Sequence, residues 1–199
     1  MDLLDGTSLE LAADDLAENV REHDGYLTTG FVGVGYLCPA LSKCGHHDLA
    51  VQLLLNEEYP SWLYEVRNGA TTIWERWNSW SHEHGFGDVS MNSFNHYAFG
   101  AVCEWMFESL AGIKSGTPGF QTLEVVPGLT DRFDYVKASY ESAQGQVSMH
   151  WKKTANGFEI ELETPVKATL RVAGGKWQVA SGRWRLVLAD GESNLLEVG

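Results

Sequence analysis

From residue 8 to about 113, apolar side chains return at helical spacing; beyond that the period drops to two. Leu9, Leu11, Leu16 and Val20 predict a first helix, with Ser8 as its cap and an acidic first turn. GYLTTGFVG reads as a loop. Residues 36–43 and 47–55 predict two short helices broken at Cys44-Gly45, the signature of a helical hairpin. Residues 59–89 show no clean period, and so long a loop in a compact domain is usually functional. Residues 92–110 give the strongest helical pattern, with Phe94, Ala98, Ala101, Val102 and Trp105 on one face and Gly112 as terminator.

After Gly112, KSGTPGF is turn-rich. FDYVKASYES, QVSMHWKK, GFEIELET, KATLRVAG and WRLVLADG then alternate or are β-rich, separated by turn residues. At least six strands at this spacing predict a β-sandwich. The fold expected is a mainly α part over residues 1–114, followed by an all-β domain over 115–199. Four or so helices with this much aromatic surface do not close a core by themselves, so the helical half reads as part of something larger.

Composition narrows the function. With 44% hydrophobic and 21% charged residues the chain is ordinary globular material. A net charge of −13 argues against nucleic acid, whose backbone needs a basic face, and against anionic membranes. No apolar run approaches the length of a membrane span. Cys38, Cys44 and Cys103 are an odd set without a CxxC pair, so they read as buried thiols in a reducing compartment. The acidic N-terminal stretch has no apolar signal core, and the location expected is the cytoplasm.

The chemistry concentrates in GATTIWERWNSW, which holds three of the chain's eight tryptophans around one acid, Glu75. For an arbitrary WER tripeptide the plain reading is a surface acid beside Arg76. The functional reading is a carboxylate in an aromatic-walled pocket, where apolar surroundings make such a group a useful acid or base. Tryptophan faces also stack on sugar rings. SMNSFNHYAFG supplies Asn92, Asn95, His96 and Tyr97, either as a capped helix start or as partners for sugar hydroxyls. His46-His47-Asp48 and His82-Glu83-His84 with Asp88 have spacings poor for a tetrahedral metal, so they read as solvated loop residues. GFVGVG follows no predicted strand and has no P-loop lysine. Neither a metal nor any other cofactor is called for.

The long ordered run from LTTGFVGVGYLCPALSKCGHHDLA through SWLYEVRNGATTIWERW to GFGDVSMNSFNHYAFGAVCEWMFESLAGI closely resembles the bacterial α-L-rhamnosidases of glycoside hydrolase family 78. LEVVPGL, VKASYESAQGQVSMHWKK and ASGRWRLVL resemble, more loosely, that family's C-terminal sandwich. The resemblance implies the last helices of a twelve-helix (α/α)6 barrel and inverting hydrolysis of terminal α-L-rhamnose. Inversion uses two carboxyl groups about 6.5–9.5 Å apart. It further implies that Glu75 is the general base, that His96 contacts the sugar, and that Trp74 and Trp77 shape the wall of the sugar pocket; Asn95 is expected as a further sugar contact from its residue type. The family's general acid lies in a DERLGW motif, which this sequence does not contain. The expectation is therefore a C-terminal piece, inactive alone, that self-associates or pairs with the rest of a barrel and acts on rhamnose-containing glycosides. The alternatives are a non-catalytic glycan-binding module and a chain that completes another chain's barrel.

Overall fold

The computed structural model describes residues 4–198. By compactness the chain divides into two units between Cys103 and Glu104.

The first unit begins with helix α1 (Gly6–Glu22), which buries Ala13, Ala17 and Val20 at intervals of three and four. Its cap position is Asp5, not Ser8. The Leu9 N–H already donates to the Asp5 carbonyl at 3.3 Å, which encloses Ser8 in the first turn. Leu11 points to solvent, because the buried stripe runs through 13, 17 and 20. Helices α2 (Val34–Lys43) and α3 (His47–Leu55) form the expected hairpin. Gly45 is left-handed at φ 90°; the His46 N–H donates to the Leu41 carbonyl at 2.8 Å and the Gly45 N–H to that of Ser42 at 3.4 Å. This Schellman closure stops α2 and lets α3 turn back.

The segment without a clear period holds a six-residue helix, α4 (Trp62–Arg67), and a two-stranded hairpin of β1 (Trp80–Ser81) and β2 (Gly85–Phe86). Ser61 caps α4 by accepting from the Tyr64 N–H at 3.0 Å. Trp62 is buried, and its Nε1–H donates to the Phe99 carbonyl at 2.9 Å. With Leu37, Leu41, Ala50, Val51, Leu53, Trp77 and Phe99 it makes the core of this unit.

The helix expected over 92–110 starts later. A short 3-10 turn covers Val89–Met91, residues 92–97 are non-helical, and the helical run covers Ala98–Ala101, α5 (Val102–Trp105) and a π-helical turn, Met106–Ala111. The reason is long-range. The Ser93 carbonyl accepts from the Glu75 N–H and the His96 N–H donates to the Ile73 carbonyl, both at 2.9 Å, so these groups are bound to another segment instead of a helical ladder. Of the three cysteines only Cys38 is fully buried, and burial pushes its thiol up to about 12. Cys103 is exposed, which corrects the expectation of three buried thiols.

The second unit is built on two sheets. One has the order β3 (Ile113–Ser115), β4 (Leu123–Val125), β8 (Ala168–Val172) and β9 (Gly175–Val179), with β4 and β8 parallel. The other is antiparallel, in the order β11 (Glu192–Glu197), β10 (Gly182–Ala189), β7 (Gly157–Thr164), β6 (Gly145–Thr154) and β5 (Tyr135–Ser142). Val147, Met149 and Trp151 alternate inward on β6, opposite Ile160 and Leu162 on β7, as a half-buried strand requires. Trp151 is fully buried and its Nε1–H donates to the Leu110 carbonyl at 3.0 Å, tying the end of the helical run to the strands. Gly112 is left-handed at φ 86°, and a Cβ there would run into Pro127. The sharp entry into β3 therefore needs glycine.

Candidate active site

Within the first unit, two loops lie side by side. The Glu75 N–H donates to the Ser93 carbonyl at 2.9 Å, and the Ser93 N–H returns a bond to the Glu75 carboxylate Oε2 at 2.7 Å. Two residues outward, the His96 N–H donates to the Ile73 carbonyl, and the Thr72 hydroxyl donates to the Phe94 carbonyl. Glu75 and His96 therefore sit on adjacent, mutually bonded segments although 21 positions apart in sequence. Glu75 is half-buried, with one carboxylate oxygen fixed by a backbone N–H. A charge-assisted bond of this kind sets the orientation of the group as well as its energy.

His96 is half-buried too. Its Nδ1 lies 3.4 Å from the Ala98 N–H, which donates to it. That assigns the ring proton to Nε2 and makes Nε2–H a donor. The ring lies 5.6 Å from Phe31 and stacks on Tyr97 at 5.4 Å. Asn95 is exposed beside it, its own N–H donating to Ser93 Oγ at 3.1 Å.

The two tryptophans that flank Glu75 back its loop from the core side. Trp77 is buried, stacked on Phe99 at 3.6 Å, edge-on to Trp62 at 5.5 Å, with its Nε1–H on the Thr29 carbonyl at 2.9 Å. Trp74 is buried edge-on to Phe94, which in turn meets Phe86. Ser79, fully buried, joins the two loops further along. Its Oγ accepts from the Arg76 N–H at 3.2 Å, and its carbonyl accepts from the Gly87 N–H and the Asn92 side-chain amide.

Two other acids stand near. Asp88 is exposed and caps the Val89–Met91 turn; its bond to the Ser90 N–H holds its carboxyl below the usual range. Glu65, on α4, is only 2% exposed, and burial pushes its carboxyl up to about 7. The Trp74 N–H donates to its Oε2 at 3.4 Å, while Oε1 has no hydrogen-bond partner among the described residues. Nothing in the residue type of Ser93 marks it for a role. Its role is carried by a main-chain N–H, which leaves no trace in residue type. Glu65 and Asp88 are the acids to which the base role would pass if Glu75 did not carry it, but residue type marks neither the burial of Glu65 nor its bond to the Trp74 N–H.

Residues 1–110 match the bacterial alpha-L-rhamnosidase 6 hairpin glycosidase domain, and residues 112–183 match the bacterial alpha-L-rhamnosidase C-terminal domain. The chain belongs to the bacterial α-L-rhamnosidase family. An alpha-L-rhamnosidase of Alteromonas sp. is 39% identical over 164 residues, covering 82% of this chain and 18% of that protein. One from Streptomyces avermitilis is 38% identical over 172 residues, 86% of this chain and 17% of that protein. The crystal structure of a Streptomyces avermitilis alpha-L-rhamnosidase complexed with L-rhamnose superposes with a TM-score of 0.83 at 34% identity, over 88% of this chain and 19% of that one. The native enzyme from Aspergillus terreus gives 0.84 at 29% identity, over 96% and 22%. The chain thus spans about a fifth of the length of these relatives.

Proposed function

We propose that these residues are the C-terminal portion of an inverting α-L-rhamnosidase, with Glu75 as its general base and His96 as a sugar contact. The observation that carries this reading is the double hydrogen bond between Glu75 and Ser93, which holds a half-buried carboxylate on the loop next to His96. In the reaction Glu75 takes a proton from a water as its oxygen attacks the anomeric carbon. The glycosidic C–O bond breaks on the opposite face, and the leaving oxygen takes a proton from the acid. That acid comes from hairpins outside these residues, so the chain alone does not turn over substrate. His96 donates from Nε2–H to a ring hydroxyl. Trp74 and Trp77 hold the wall on which Glu75 stands, and exposed Asn95 lies at the rim.

The test is to join the chain to the preceding hairpins of a relative's barrel and assay a chromogenic α-L-rhamnoside, following the first-formed anomer of rhamnose by NMR. The reading requires turnover from the joined enzyme, none from the 199 residues alone, and β-L-rhamnose released first. Release of the α-anomer would contradict inversion.

A further inference from the structure

Glu65 is a costly residue where it stands. A buried carboxyl with one oxygen unpartnered loses solvation that a leucine of similar size would not lose. Yet it reaches both ends of the turn that leads to Glu75. Its main-chain carbonyl accepts from the Asn68 N–H at 3.1 Å and the Ala70 N–H at 3.0 Å, closing α4 into the turn. Its side chain accepts from the N–H of Trp74, the residue immediately before Glu75. One residue thus grips the start and the finish of the 68–74 segment from inside the core.

We infer that Glu65 is a positioning residue for the base, clamping the 68–74 turn through the Trp74 N–H so that Glu75 meets Ser93 in the observed register. This rests on Glu75 being the base, although the clamp itself is a property of the chain. Glu65 is only 2% exposed, so it acts through Trp74 rather than on substrate. Burial raises its titration point, and the bond from the Trp74 N–H offsets part of that rise.

Hydrogen exchange on the 199-residue chain tests the clamp without reference to activity. Glu65→Leu should speed exchange of the Trp74 and Glu75 amides by about tenfold or more while α2 and α3 keep their protection. Glu65→Gln, which keeps a carbonyl acceptor, should restore the wild-type rate. Glu65→Asp, which withdraws the acceptor by one methylene, should release the same amides and covers the case in which leucine prevents folding. Unchanged exchange at Trp74 in both Leu and Asp variants would overturn the clamp. In the joined enzyme, the variants that release the loop should lower kcat by about tenfold or more with KM nearly constant, because a misplaced base costs the chemical step. Released amides with wild-type kcat would overturn the link to the base. A joined wild-type enzyme with no rhamnosidase activity would count against the proposed function and leave the exchange result standing.

Discussion

Glu75 and Ser93 exchange two hydrogen bonds, one between their main chains and one from the Ser93 N–H to the Glu75 carboxylate. The site therefore depends on the backbone at position 93 and is nearly indifferent to its side chain. Ser93→Ala should leave rhamnoside turnover in the joined enzyme within about twofold, since only the Ser93 Oγ bond to the Asn95 N–H is lost. Ser93→Pro removes the donor to Oε2 and should lower kcat by about ten- to a hundredfold. Steady-state kinetics of the two variants separates these outcomes, and equal loss from both would contradict the backbone role.

The buried carboxyl of Glu65 makes stability depend on pH. It titrates at about 7 in the folded chain, against an ordinary 4.5. Between those values the folded state holds a proton that the unfolded state has released, so stability is greatest below 4.5 and falls as pH rises to 7. The difference amounts to roughly 3–4 kcal/mol, at about 1.4 kcal/mol for each pH unit. Denaturant midpoints measured from pH 4.5 to 7.5 should fall for the wild type. Subtracting the Glu65→Gln curve isolates this contribution, and parallel curves would contradict it.

Trp77 is a structural anchor of the same loop. Trp77→Ala removes the stack on Phe99, the edge contact with Trp62 and the Nε1–H bond to Thr29. The expected loss is about 3–5 kcal/mol for the first unit, read by denaturant unfolding with a probe in that unit. A loss below about 1 kcal/mol would mean the indole is not part of the core.

The first unit carries Val32, Tyr36, Phe86, Val89 and Tyr97 in the open, with Val89 96% exposed and Tyr97 86%. Large apolar side chains this open form an association surface where they lie next to one another. The isolated chain should self-associate with rising concentration and bind a hydrophobic dye, both reduced by Tyr36→Lys with Val89→Lys. Light scattering that finds a dye-silent monomer at all concentrations would contradict this.

Local rules read some of this molecule well. The break at Cys44-Gly45 was legible because a left-handed glycine closes a helix by contacts within six residues. The strands of the second unit were legible because each buries one face, so Val147, Met149 and Trp151 alternate with polar neighbours. The α4 helix was not, since six residues are too short to show a period. Residues 92–97 misled for the opposite reason. Their apolar spacing suits a helix, but bonds to residues 72–75 take their main-chain groups, and no local pattern encodes such a pairing. At the site, Glu75 and His96 stood out by residue type and by resemblance, whereas the N–H of Ser93 and the buried Glu65 depend on where distant segments meet.

Azide rescue decides whether Glu75 serves as the general base. In the joined enzyme Glu75→Gln keeps a carbonyl acceptor for the Ser93 N–H and should lower kcat by about 10²–10⁴-fold with KM changed far less. Glu75→Ala opens space where water and base stood. With an activated rhamnoside and added azide, which needs no base, turnover should return and give β-L-rhamnosyl azide. Near-normal turnover by Glu75→Gln, or an azide product of α configuration, would contradict the assignment.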